Sequence, residues 1–407
     1  MSSSEPLSTR APALTSWRAL ASHRQWLAAE TDRLIDFGRG ARVDGGFGWL
    51  DATGTPDPAK PLQLWITTRM THVFAVGHLL GIPGCGLLAD HGLRAIGETF
   101  EDREHGGWFS EAGAGRKEAY SHSFVLLAAA SATMAARPGG PPLLDAIVEI
   151  VERHFWSEEE GACVESWDRA WREPEAYRGA NANMHMVEAC LAAGDATGDA
   201  IWSQRALRIA ERLVQDVAAR NDWRVVEHFD AAWNPLPDYN RAEVRHPFRP
   251  FGVTPGHGLE WSRLLLQIRG PGWLLEAAEG LFARAVADGW DDARGFVYTT
   301  DFDGQPVVTD RLHWVLAEGI GAAAALHAVT GGEEYDRWYQ RFWDFADLWF
   351  RDREHGSWQH ELDDQLRPSD RTWAGKPDVY HALQATLLPR LPVTASLAGA
   401  LRDGLLG

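Results

Sequence analysis

Apolar positions along this chain recur mostly with the spacing of a helix. Trp26, Leu27, Leu34, Ile35 and Phe37 mark a first stripe, with Gly38 and Gly40 read as its stops. Further helical stretches are predicted over about 62–80, 85–100, 118–136, 141–155, 181–196, 200–219, 257–268, 272–288, 311–329, 333–350 and 377–389. Gly- and Trp-containing segments separate alternate helices, as at Gly161–Trp167, Asp222–Asp230 and Gly295–Gly304. Two of them, Arg103-Glu-His-Gly-Gly-Trp108 and Arg353-Glu-His-Gly-Ser-Trp358, are nearly one hexapeptide. Trp49, Trp108 and Trp167 recur at intervals of about 60 residues, the length of two helices plus one turn-and-strand segment. Roughly six such units predict a closed ring of helix pairs. The fold class expected is all-α, a single (α/α)6 barrel with short β segments in the inter-helix loops. Ala-rich runs at Leu126–Ala136 and Gly321–His327 suit close helix packing. One catalytic domain is expected over 16–407, after a disordered tail over 1–15 rich in Ser, Pro and Ala.

Composition narrows the function classes. The 407 residues carry a formal net charge of −18, which argues against a nucleic-acid partner. No apolar run approaches the roughly 18 residues of a membrane span, and the N-terminus lacks the apolar core of a secretory signal. Cys85, Cys163 and Cys190 are unclustered, as free thiols in a reducing cytoplasm would be. A cytoplasmic location is therefore expected, and homo-oligomer formation stays open. Twenty Trp residues supply flat apolar faces that suit the C–H faces of pyranose rings, although most of them must serve the core.

The chemistry concentrates in Thr254-Pro-Gly-His-Gly-Leu-Glu-Trp-Ser-Arg263. Pro255 and Gly256 read as a turn leading into a helix, with His257 near the first turn and Glu260 three residues on, on the same face. The positive end of a helix dipole favours neutral imidazole, the form a proton-abstracting base needs. Glu260 is placed to accept from that ring or from a substrate hydroxyl; the plain alternative is a capping His and a Glu that suits the dipole. Trp65 and Arg69 lie four apart, with His72 at the next turn, and Arg is a permanent donor fork for polyol or enediolate oxygens. Asn181, His185 and Glu188 form one polar stripe, facing either water or a polar cavity. His381 lies on the last inner helix. No phosphate loop, dinucleotide fingerprint, Cys-x-x-Cys or His-Glu-x-x-His occurs, so neither cofactor nor metal is expected.

Trp65-Ile-Thr-Thr-Arg-Met70, Arg178-Gly-Ala-Asn-Ala-Asn-Met-His185, Glu227-His-Phe-Asp230, Trp233-Asn-Pro-Leu-Pro-Asp-Tyr-Asn240, Thr254–Trp261 and Tyr380-His381 together resemble the N-acylglucosamine 2-epimerase superfamily, within it the aldose–ketose isomerase branch. The resemblance runs from about Trp17 to Pro392 and implies a single (α/α)6 barrel, a monosaccharide substrate and no metal or nicotinamide. It implies that His257 and His381 are the catalytic pair, handling ring opening and proton transfer through a cis-enediol. It also implies that Trp65, Arg69, Asn181, His185 and Glu260 hold sugar hydroxyls or orient the histidines. His122, in Tyr120-Ser-His122, is carried over as a substrate-binding residue near the barrel mouth, and Trp314 is placed in the same group.

Removing the C2 proton of an aldose builds negative charge on O1, where a cation such as Arg69 contributes roughly 3–4 kcal/mol in a dry cavity. A tuned base adds about 10²–10⁴-fold. Returning the proton to C1 yields a ketose; returning it to C2 from the other face yields the epimer. The reading is a metal-independent isomerase interconverting D-mannose and D-fructose, and D-lyxose and D-xylulose, with a mannose/glucose 2-epimerase or a sulfoquinovose isomerase as alternatives. The sulfosugar branch, as the resemblance suggests, carries an Arg at the Pro247 position and Gln at the His360 and Pro377 positions, so a neutral sugar is expected. A glycoside hydrolase using Glu188 and Glu260 would leave the histidines idle.

Overall fold

A computed structural model describes residues 15–113 and 115–406. Except for Thr15, the tail expected over 1–15 lies outside them. The chain forms thirteen α-helices among the described residues: α1 (Ala21–Arg39), α2 (Leu64–Leu79), α3 (Cys85–Ala95), α4 (Ala119–Met134), α5 (Gly140–Ile150), α6 (Ala180–Thr197), α7 (Ala200–Ala210), α8 (Pro255–Gln267), α9 (Trp273–Gly289), α10 (His313–Thr330), α11 (Glu333–Phe345), α12 (Tyr380–Leu387) and α13 (Leu397–Arg402).

The even-numbered helices form the inner ring: α2 packs on α4, α4 on α6, α6 on α8, α8 on α10, α10 on α12, and α12 closes on α2. Each inner helix is backed by one outer helix: α3, α5, α7, α9 and α11 lie on α2, α4, α6, α8 and α10, and α1 on α12. The ring is the expected (α/α)6 barrel. Its helices differ by position. Inner α4 buries residues on every face, including Ala128, Ala129 and Ala130, whose small side chains allow close packing. Outer α11 buries one stripe, Tyr335, Tyr339, Phe342 and Trp343 among it, and turns its charged residues other than Asp336 away from the core.

Gly38 does not stop the first helix. It lies inside α1 because a Cβ there would sit 2.8 Å from Met70 Cε, so α1 needs a bare backbone to approach α2. The stretch expected over 377–389 contracts to α12, since Pro377 cannot continue a helical ladder and Asp378 Oδ1 caps the Tyr380 N–H at 2.8 Å. Four outer helices end in a π-helical turn, at Ile96–Phe100, Val151–Phe155, Glu211–Gln215 and Ala346–Phe350; the sequence shows these only as continued helix.

The β segments are antiparallel pairs at one rim. Lys117–Glu118 pairs with Ser166–Trp167, Tyr177–Gly179 with His228–Asp230, and Arg311–Leu312 with Glu361–Leu362. Each first member runs straight into an inner helix, so the ladder ties that helix's first turn to a loop of a later repeat. The repeated hexapeptide has its own role. Asp102 and Asp352, just before the two copies, each accept a buried lysine, Lys117 at 3.0 Å and Lys376 at 2.6 Å. Each lysine also donates to a glycine carbonyl within the hexapeptide, Gly106 or Gly356. Lys117 leads into α4 and Lys376 into α12. At the opposite end α13, which the periodicity did not reveal, lies across α2, α4 and α6.

Candidate active site

The first turns of the inner helices converge on one cavity at the laddered rim, holding about 660 Å³ of empty space including its mouth. α2 supplies Trp65 and Arg69, α4 Tyr120, α6 Asn181 and His185, α8 His257 and Glu260, α10 His313 and Trp314, and α12 His381. Loops add Pro247, Phe248, Tyr298, His360, Trp373, Pro377 and Asp378. Eight of the nine residues given catalytic or sugar-binding roles in the sequence therefore line one space, while His72 and Glu188 line a separate small cavity.

Both histidines of the expected pair are held by a buried glutamate. His257 Nδ1 lies 2.8 Å from Glu227 Oε1, and His381 Nδ1 lies 2.9 Å from Glu318 Oε1. Each carboxylate accepts a hydrogen bond from Nδ1–H, which keeps the proton on Nδ1 and leaves the lone pair of the neutral ring on Nε2. His381 is pushed well below the usual histidine range by burial, and then by the Arg69 charge. Trp314 stands between the rings, its centroid 5.2 Å from His257 and 5.9 Å from His381. A Cβ on Gly256 would meet the Trp314 ring at 2.4 Å, so the residue before His257 must be glycine for the indole to sit there. Glu260, expected beside the His257 ring, instead faces the barrel axis.

Arg69 donates to Asp378 Oδ2 at 3.3 Å and to Tyr120 Oη at 3.0 Å, and lies over the rings of Phe124 and Tyr380. Burial works against its charge, but Tyr120 and Asp378 more than offset that, so it stays a cation in the cavity wall. Below it, Glu260 Oε1 lies 3.6 Å from both His185 Nδ1 and Arg263 Nη2. Burial, and then Glu318, push the Glu260 carboxyl well above its usual range, while burial and Arg69 hold His185 far below its own. Both shifts disfavour the charged forms of the pair. His185, Glu188 and Glu260 bring three ligand-type atoms within 4.8 Å of one another, a grouping their spacing in sequence does not reveal. Arg263 already supplies a positive charge there, with Nη1 4.0 Å from Glu188, and its Nε donates to Glu318 at 2.9 Å.

His122 is not brought to the cavity. Its Nδ1 donates to the Glu118 carbonyl at 2.8 Å and its Nε2 accepts the Trp108 N–H at 3.2 Å, so it joins the start of α4 to the repeated turn. Burial lowers it to about 3, which keeps it an acceptor for that N–H. Asn181 lines the cavity but donates to the Phe248 carbonyl at 3.4 Å, leaving Oδ1 unpartnered among the described residues.

Sequence reasoning passed over Glu227, Glu318, Arg263, His313, Trp373 and Asp378. One signal was present: Glu318 is the only Asp, Glu, Lys or Arg in His313–Thr330. A lone acid in an otherwise apolar inner helix has to find a partner. The arginines nearest Pro247 are taken. Arg249 is held by Glu175 at 2.7 and 3.0 Å, and Arg245 by Asp310 at 2.8 Å.

Comparison with known proteins finds relatives over nearly the whole chain. Residues 45–385 match the N-acylglucosamine 2-epimerase (GlcNAc 2-epimerase) family. A D-mannose isomerase of Thermobifida fusca is 55% identical over 403 residues, 95% of this chain and 99% of that one. A D-mannose isomerase of Pseudomonas cannabina pv. alisalensis is 49% identical over 402 residues, 95% and 97% of the two chains. A crystal structure of a D-mannose isomerase superposes with a TM-score of 0.84 at 29% identity, covering 90% of this chain and 97% of that one.

Proposed function

The chain belongs to the N-acylglucosamine 2-epimerase family and is an enzyme; on that premise we propose that it interconverts D-mannose and D-fructose, with D-lyxose and D-xylulose as the shorter pair. The observation that carries this reading is the pair of Glu-held imidazoles, His257 on Glu227 and His381 on Glu318, lining one cavity with a cationic Arg69.

One imidazole Nε2 moves the proton between the hydroxyl O1 and the ring oxygen O5, which opens the pyranose. The other takes the proton from C2 of the open aldose. As the C2–H bond breaks, a C1=C2 double bond forms and charge passes to O1, where Arg69 receives it. The imidazolium returns its proton to C1, the O2 proton passes to the O1 oxyanion, C2 becomes the carbonyl and C1 the hydroxymethyl group, and fructose results. Neutral rings with bare Nε2 atoms are the form this cycle starts from. Donation to a developing oxyanion contributes on the order of 3 kcal/mol in a water-poor site. Glu260 and His185 hold sugar hydroxyls, and Trp314 and Trp65 give the ring an apolar wall. Arg263 stands where a divalent ion among His185, Glu188 and Glu260 would otherwise be needed, so the cycle is proposed to run without a metal. Among the described residues no helix is long and apolar enough to cross a membrane, and all three cysteines are buried free thiols, which supports action in the reducing cytoplasm.

The test is incubation with D-mannose in heavy water after exhaustive EDTA treatment, with products read by NMR. Fructose formed at the untreated rate supports the reading. Glucose as the main product would make the chain a 2-epimerase, and activity lost to EDTA and restored by Mn²⁺ would overturn the metal-free cycle.

A further inference from the structure

His313 and His360 line the cavity but have no part in the proton transfers above. Their rings stack at 3.8 Å with planes 24° apart. His313 Nδ1 lies 3.3 Å from the His360 carbonyl oxygen, which also accepts the His313 backbone N–H at 3.1 Å. A carbonyl only accepts, so the proton of His313 is on Nδ1 and Nε2 carries a lone pair. His360 is fixed the same way, its Nε2 donating to the Asp378 carbonyl at 3.0 Å. Burial holds both rings neutral, His313 at about 4. His313 Nε2 has no partner among the described residues, and an unmet acceptor in a buried site is costly unless the occupant supplies a proton.

Building on the isomerase reading, we infer that His313 Nε2 is a specificity-determining acceptor for one hydroxyl of the neutral sugar, with His360 and the Asp378 carbonyl locking the tautomer. A ring that can accept but not donate favours a hydroxyl and disfavours a carboxylate, phosphate or sulfonate oxygen, which would bring lone pair against lone pair. The loss on removing the complementary hydroxyl should follow the rule for sites built to bind one: the unsatisfied protein group magnifies the discrimination.

The experiment pairs protein and substrate changes. kcat/KM is measured for D-mannose and its 3-, 4- and 6-deoxy analogues with the wild type and with His313→Phe, whose ring stacks on His360 but has no lone pair. In the wild type, one deoxy sugar should fall about tenfold or more below mannose. In His313→Phe that same gap should close to within about twofold, the other gaps standing unchanged. Gaps identical in the two proteins overturn the inference. If His313→Phe does not fold, His313→Gln serves instead: its amide oxygen can accept, so the single large gap should persist, and its disappearance overturns the assignment. A wild type that binds mannose without turning it over refutes the isomerase reading alone; calorimetric affinities for the same sugars then decide the acceptor. A wild type that binds none of them refutes both.

Discussion

His381 and Glu318 meet at 2.9 Å from different inner helices, α12 and α10, and the second oxygen of Glu318 holds Arg263 at 2.9 Å. The carboxylate therefore fixes the tautomer of His381 and ties it to the charge network along the barrel axis. Glu227 does the same for His257 from a loop, without an arginine. In the proposed cycle both glutamates act through the histidine, as positioning residues.

Glu318→Gln and Glu227→Gln should each lower kcat by about 10²-fold or more, with KM for mannose changing far less. His257→Gln and His381→Gln should abolish turnover. Circular dichroism and melting curves establish that the fold survives. Either Gln-for-His variant keeping more than about a tenth of the wild-type rate would remove that residue from the proton-transfer role.

His122 should behave as a structural residue. His122→Asn cannot span both the Glu118 carbonyl and the Trp108 N–H, and should cost about 1–3 kcal/mol of stability. The folded fraction should keep kcat/KM for mannose within about threefold, since the ring is outside the cavity. A large loss of kcat/KM with no change in melting temperature would return His122 to the sugar site.

The pH dependence of stability has two opposing sources. His72 and His313 are lowered by burial to about 4, and His122 to about 3. In the unfolded chain they bind protons below about 6.5, so the stability they contribute is present above that pH and lost as pH falls toward 4. Glu165 is raised by burial, and then by Glu175, to about 7 despite the opposing charge of Arg249. The folded state holds that proton longer than the unfolded one, so stability falls as pH rises from about 4.5 through 7. Melting temperature should therefore rise with pH through about 6.5, the three histidines outweighing the one carboxyl, and level off toward 8. Glu165→Gln removes the opposing contribution and should steepen the rise between about 5 and 7; an unchanged slope there would show that Glu165 does not ionise in that range.

Mannose should be a better substrate than sulfoquinovose. Pro247 and Pro377 offer the cavity no side-chain donor, and Arg245 and Arg249 are committed to Asp310 and Glu175. A charged hydrogen bond to a sulfonate contributes about 1.5–3 kcal/mol, and neither of these arginines is free to supply one. Direct comparison of kcat/KM for the two sugars decides it, a preference for sulfoquinovose showing that one of these arginines leaves its carboxylate.

The ring of helix pairs was legible because its cause is periodic: each pair must bury the same faces, so Trp49, Trp108 and Trp167 recur at one spacing. The cavity was legible in outline because Trp65, Arg69, Asn181, His185 and His257 fall in the first turns or so of their helices, where polar residues interrupt apolar runs. What holds those residues was less so. Glu227 is 30 residues from His257 and Glu318 is 63 from His381, and only closure of the ring makes them neighbours. His122 misled because a buried histidine that braces a backbone turn looks, in one dimension, like one that faces a ligand. α13 escaped because six residues carry too little pattern to stand out.

The position of α13 has a kinetic consequence. That helix lies across α2, α4 and α6 at the far end, so the proposed aldose and ketose both use the cavity at the laddered rim that Phe248 and Trp373 line. Sharing one site, the ketose competes with the aldose in the forward reaction and the aldose with the ketose in the reverse. Net conversion then depends on whatever consumes one of the pair.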